Sequence, residues 1–171
     1  AGTLNASSVT VGENGNIVLK ASGDVRLEGG TVKAGARDGG VIRIEGDRVV
    51  QGGAIDASGA QGGDVAITAN AVLQSARIDA KGLGGDGGRI DVRSTGSLVQ
   101  TGENVLDASG TTAGGVVSVQ GTGERRVFSS ATMTAASSAG TGGEVKVLGN
   151  DIVLSGAKLD ASGASGGGKV M

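Results

Sequence analysis

The chain has 171 residues, 36 of them glycine and 37% of them hydrophobic, with no proline, cysteine, histidine, tryptophan or tyrosine, one aromatic (Phe128) and a net charge of -2. This composition excludes collagen, which needs a short glycine period with proline, a disulfide framework or thiolate metal centre, and, because acids and bases are interspersed without a basic stripe, a nucleic-acid partner. A core without aromatics has to be filled by Val, Ile, Leu and Ala, which favours a thin, layered interior.

In chain order the elements repeat. Leu4-Asn5-Ala6-Ser7 reads as the third strand of a winding, and Asn14-Gly15 stands ahead of Ile17 and Leu19, the inward pair of a first strand. Val25 marks a second strand and Val32-Lys33-Ala34-Gly35 a third. Gly39-Gly40 then opens a winding with Ile42 and Ile44, Val49, and Ile55-Asp56-Ala57-Ser58. Gly62-Gly63 precedes Val65 and Ile67, Val72, and Ile78-Asp79-Ala80-Lys81; Gly87-Gly88 precedes Ile90 and Val92, Leu98, and Leu106-Asp107-Ala108-Ser109. Gly114-Gly115 leads to Val117 and Val119, Val127, and Met133-Thr134-Ala135-Ala136; Gly142-Gly143 leads to Val145 and Val147, Ile152, and Leu159-Asp160-Ala161-Ser162. Gly167-Gly168 opens a last one with Val170 and Met171.

The openings are separated by 25, 23, 25, 27, 28 and 25 residues. A fixed period of this size is the signature of a repeat architecture, and alternation within each segment sends one set of residues inward and the next outward, as in a strand. The expected fold is all-β, a right-handed parallel β-helix of about seven coils of 23–28 residues with three short strands per coil. No helical period is visible, and glycine at this frequency would cost a helix about 1 kcal/mol per site. At roughly 4.8 Å per coil the rod would be on the order of 30 Å long. Between the inward pairs, Val18, Arg43, Ala66, Asp91, Ser118 and Lys146 should face water.

The alanines Ala57, Ala80, Ala108, Ala135 and Ala161 form an inward ladder in which a methyl is the largest side chain tolerated before a tight corner. Glycines follow at Gly59, Gly82, Gly110 and Gly163, where the turn can use positive φ. Asp56, Asp79, Asp107 and Asp160 form the outward ladder beside them. A residue recurring once per coil is most simply structural, bonding its turn through Asx contacts. Lys33 and Thr134 interrupt the column, as a tolerant site allows. Calcium would need about six to eight oxygens, and the glycine-rich nonapeptide of calcium-binding rolls is absent in proper form.

Ile55-Asp56-Ala57-Ser58-Gly59 and Leu159-Asp160-Ala161-Ser162-Gly163, with the Gly-Gly-x-Val segments that follow them, resemble the shaft repeats of filamentous-haemagglutinin-like exoproteins. The likeness covers nearly the whole chain. It implies export from a Gram-negative bacterium by the two-partner route, through an outer-membrane transporter, to a secreted or cell-surface adhesin. Such a protein serves attachment or biofilm cohesion, its receptor being a host or matrix glycan or protein. The same repeats build stalks of contact-dependent toxins. The chain lacks a counterpart of the family's amino-terminal secretion domain and its Asn-Pro motif, so residues 1–171 read as one uncapped segment of a longer repetitive protein that does not itself engage the transporter. Ala1 to Lys20 lacks the regions of a signal peptide, and no apolar run is long enough to insert in a bilayer.

No cofactor and no catalytic residue are nominated, and the chain is not expected to be an enzyme. The competing class is a β-helical enzyme acting on polysaccharide, which would gather Asp, Arg, Lys, His and aromatics from different columns into a cleft. Gly82-Leu83-Gly84-Gly85-Asp86-Gly87 matches a phosphate-cradling loop, but that chemistry needs a helix where Arg89-Ile90-Asp91-Val92 reads as a strand. Gly163-Ala164-Ser165-Gly166-Gly167 matches a nucleophile elbow in a chain without histidine. Phe128, with Arg125 and Arg126, lies in an irregular stretch, Gly121 to Ser130, read as an accommodated insertion with Phe128 covering the core or as a surface bulge with a contact role. Asn5-Ala6-Ser7 is a chance-level glycosylation sequon.

Overall fold

The computed structural model describes residues 4–5, 9–11, 15–34, 37–102 and 104–171, and these form an all-β solenoid of parallel strands without a helix, in about six turns rather than the seven expected. Three faces wind around one core. The first carries Asn16–Lys20, the leading parts of Val41–Gln51 and Asp64–Gln74, then Arg89–Ser94, Val116–Gly121, Glu144–Leu148 and Lys169–Val170. The second carries Leu4–Asn5, Asp24–Leu27, the trailing parts of the same two long strands, Leu98–Gln100, Val127–Ser129 and Ile152–Leu154. The third carries Val9–Val11, Thr31–Ala34, Ala54–Asp56, Ile78–Asp79, Val105–Asp107, Thr132–Thr134 and Lys158–Asp160. In two windings the first and second strands are thus one bent strand of 11 residues, not two short ones.

The inward columns follow the sequence register. Ile17 pairs with Ile42, then Val65, Ile90, Val117, Val145 and Val170 in succession. Val25, Val49, Val72, Leu98, Val127 and Ile152 stack likewise on the second face. Alternation buries these residues on one side of each strand, all but Ile152 and Val170 of the last windings, which are exposed, and together they form a continuous aliphatic core. Each coil buries its apolar edge only against its neighbours, so stability accrues coil by coil.

The first winding departs from expectation. Leu4–Asn5 lies on the second face, with Leu4 beside Val25, and the third-face position is taken by Val9–Val11, with Val9 beside Val32. The alanine column therefore starts at Ala34, and Val11 stands above it in register. Ala6, Ser7 and the sequon they complete, with Asn14 and Gly35, lie outside the described residues.

At the corner after the third strand the chain does more than turn. Gly88 N donates to Ala80 O at 2.8 Å, Gly115 N to Ala108 O at 2.8 Å and Gly143 N to Ala135 O at 2.7 Å, each within one winding. The second glycine of each pair thus closes a neck, and the residues between form a loop outside it. These loops stack into a fin: Gly59, Gly82, Gly110, Ser137 and Gly163 bridge in succession, as do Ala113, Thr141 and Gly166. The neck explains both small-residue signatures. Alanine is the limit because the Gly-Gly backbone lies directly against it; a Cβ on Gly40 would strike the Ala34 methyl. A Cβ on Gly63 would strike the carbonyl oxygens of Gly40 and Ala57.

Positive φ is not the reason for the fin glycines. Among the described residues it occurs at Gly29, Gly30, Gly39, Gly102 and Gly156 and not at Gly59, Gly82, Gly110 or Gly163. Gly82 and Gly110 are needed for space, since a Cβ there would meet the carbonyls of Asp86 and Ala113.

Candidate functional site

The nominated ladders sit where the third strand meets the neck. Ala57, Ala80, Ala108 and Ala135 are fully buried, and Ala161 packs against the core from the last complete winding. They are neighbours: Ala57 N donates to Asp79 O and Ala80 N to Asp107 O, both at 2.8 Å.

The aspartates between them point outward and bond along the outer wall. Asp56, Asp107 and Asp160 accept from the backbone amides of Ser58, Ser109 and Ser162 at 2.9, 3.0 and 2.9 Å, the Asx turn expected of a recurring carboxylate. Asp79 has Lys81 two residues on, whose amide donates instead to Ser58 Oγ at 3.1 Å. Cations pair with Asp56, Asp79 and Asp107. Lys33 Nζ lies 2.8 Å from Asp56, and Lys81 Nζ lies 3.5 Å from Asp79 and 3.1 Å from Asp107. Arg77 reaches Asp79 on its own strand and Asp107 one coil away, at 3.3 Å.

Burial pushes the Asp56 carboxyl up, but the hydrogen bonds from Lys33 and Ser58 outweigh it and leave its pKa below the ordinary value. Asp160 is also lowered, chiefly by the Ser162 amide. The Asp56 hydrogen bond raises Lys33. Coil spacing sets adjacent carboxylates roughly 5 Å apart, near the separation of a retaining glycosidase pair. However, Asp79 and Asp107 lie along one wall and are bridged by Arg77 and Lys81, so neither is presented to a bond lying between them. Among the described residues no three acidic side chains converge as a metal site would require.

Two troughs flank the fin. One, of about 360 Å³, is lined by Lys81, Leu83, Ser109, Thr111, Ala136 and Ser138. The other, of about 640 Å³, has the stacked glycine pairs for a floor, with Asp38, Asp64, Asp86 and Arg89 along its lips. The glycine-rich segment Gly82 to Gly87 belongs to the fin and leads into the strand Arg89–Ser94, as its reading predicts.

On the first face Asp91 and Ser118 are buried despite their outward register, contrary to expectation. Arg89 and Arg93 fold over Asp91 from the same strand, at 3.3 and 2.8 Å, and close it from water.

The second face carries a feature that the sequence reading missed. Val50, Leu73, Val99, Phe128 and Val153 pair in succession and point outward, making an apolar stripe one residue wide across five windings. Phe128 therefore does not cover the core. It lies between inward Val127 and Ser129 and is half-buried on the outside. The signal was available as the second apolar residue in Val49-Val50, Val72-Leu73, Leu98-Val99 and Ile152-Val153. Beside the stripe a cleft of about 570 Å³ is lined by Ser75, Arg77, Asn104, Ser130 and Thr132, among others.

No protein-family model, curated protein or solved structure matches the chain.

Proposed function

We propose that this chain is a structural shaft segment of a large secreted or surface-exposed adhesin of a Gram-negative bacterium, of the filamentous-haemagglutinin-like kind. Such a protein leaves the cell through an outer-membrane partner transporter. The segment's work is to hold a receptor-binding region, for a host or matrix glycan or protein, away from the cell and so support attachment or biofilm cohesion. It performs no chemistry of its own.

One observation carries this reading: ion pairs on the outer wall join winding to winding along the rod axis instead of converging on a point. Arg77, Lys81, Asp79 and Asp107 tie winding to winding, as Arg48 ties to Asp24 at 2.7 Å and Arg126 to Asp151 at 2.8 Å. A catalytic site gathers groups from several columns around a substrate. A shaft uses them to join neighbours.

Antibodies raised against the purified segment test the proposal. They should label intact producing cells without permeabilisation and reduce attachment to a surface. Labelling only after permeabilisation, or cleavage of polysaccharide by the purified segment, would overturn it.

A further inference from the structure

The corner between the first and second faces has one unusual winding. Val119 and Val127, the inward residues on its two sides, are eight positions apart, whereas Ile44 and Val49, Ile67 and Val72, and Val147 and Ile152 are five apart. The extra chain forms a bend in which Glu124, Arg125 and Arg126 are exposed. Thr122 N donates to Ser94 O and Val127 N to Asp151 O, both at 2.8 Å, but no backbone amide from 123 to 126 donates to another backbone group. Arg126 Nε is held by Asp151 at 2.8 Å, while the Arg125 side chain makes no ion pair or hydrogen bond among the described residues.

Several other arginines are held by backbone bonds. Arg48, Arg89 and Arg93 lie within strands, and the Arg37 carbonyl accepts from Ala60 N at 2.6 Å. An endopeptidase needs several residues of chain drawn out into its groove, and among the described residues this segment is held only by the Asn150 side-chain amide on Gly123 O, at 3.3 Å, and by the Arg126–Asp151 pair, so it is opened at little cost.

We propose that the Arg125–Arg126 bond is a processing site for an endopeptidase of trypsin-type specificity, whose acidic pocket takes an arginine side chain. Arg125 is the residue that enters the pocket. Using Arg126 instead would break its pair with Asp151 and draw Val127 out of the core. The reaction is hydrolysis: the bond between the Arg125 carbonyl carbon and the Arg126 nitrogen breaks, water supplying hydroxyl to the first and a proton to the second.

The cut severs the chain but not the rod. Three parallel ladders cross it, joining Val116–Gly121 to Glu144–Leu148, Leu98–Gln100 to Val127–Ser129 and Val105–Asp107 to Thr132–Thr134. The inference rests on this loop alone and stands or falls apart from the shaft role.

Limiting trypsin on the intact chain in native buffer, followed by intact mass and size exclusion, is the test. The first products should be residues 1–125 and 126–171, eluting together as one species. Arg125→Gln, an exposed change that leaves the fold alone, should slow the first cut about tenfold or more, and Arg126→Gln should not. A first cut elsewhere, such as after Arg37, an unchanged rate for Arg125→Gln, or halves that separate without denaturant would each overturn the proposal.

Discussion

Gln100 donates from Nε2 to Gln74 Oε1 at 2.7 Å, and both residues are wholly buried. They belong to an inward column of the second face that runs Leu27, Gln51, Gln74, Gln100, Ser129, Leu154, so leucine stands at each end of a polar run. Ser129 Oγ donates to Gln100 Oε1 at 2.8 Å, and Gln51 Nε2 donates to Gly53 O at 2.6 Å. Gln51 Oε1 and Gln74 Nε2 have no partner among the described residues, so the network is partly satisfied and fixes register only through the bonds it makes.

Truncating Gln100 to alanine removes the acceptor for Ser129 and the donor for Gln74 at once. Unpaired buried groups cost about 1–3 kcal/mol, and the cavity adds to that, so the loss should reach roughly 2–4 kcal/mol. Replacing Gln51, Gln74 and Gln100 together by leucine, the residue found at position 27, should recover part of it, because the amides themselves are removed, while the Ser129 hydroxyl and the Gly53 carbonyl lose a partner. Urea denaturation of the two variants makes the comparison. A triple variant weaker than Gln100→Ala would refute the network.

The neck gives a glycine prediction with its own control. Gly63→Ala drives a methyl into two backbone carbonyls and should cost about 2 kcal/mol or more. Gly84→Ala, in the fin, meets nothing nearer than 3.9 Å and should be neutral, or stabilising by about 0.4–1 kcal/mol through the unfolded chain. Thermal melts that rank the two equally would show that the pinch is not what selects glycine.

Acid should weaken the rod through Asp56. Its folded pKa is depressed, so its contribution is complete above the unfolded value of about 3.9 and is lost as pH falls through the folded value. Lys33, raised by the same pair, contributes below its unfolded value of about 10.4 and loses that contribution as pH rises through the folded one. Stability measured against pH should therefore show a plateau between these limits, and Asp56→Asn should flatten both ends of it. An unchanged acid limb in that variant would place the sensitivity elsewhere.

Arg77→Gln removes the cation that links Asp79 to Asp107 but leaves Lys81 beside both. Exposed pairs are worth little, so the loss at physiological salt should stay below about 1 kcal/mol and grow as salt is lowered. Denaturation at two ionic strengths reads this directly.

Much of the fold was legible because a solenoid writes its contacts as a period. Each residue's main neighbour lies 21–29 positions away, and alternation states which side it faces, so Ile42, Val65 and Ile90 could be stacked correctly from the chain alone. The same logic misplaced Leu4 and Asn5, whose segment imitates Leu106-Asp107-Ala108-Ser109 in residue type but which pair with Val25 and Arg26. Local pattern states a strand's two faces, not which side of the solenoid it joins.

By itself, then, the sequence determined the repeat, the inward aliphatic columns and the outward aspartates, because these depend on alternation and period alone. The tertiary structure decided what depends on distance between backbones: the neck that makes Gly63 and Ala80 small, the cations that join Asp79 to Asp107, and the outward register of Phe128. Small residues look alike in a sequence whether they serve a turn or a close approach, and only the folded chain shows which neighbour they make room for.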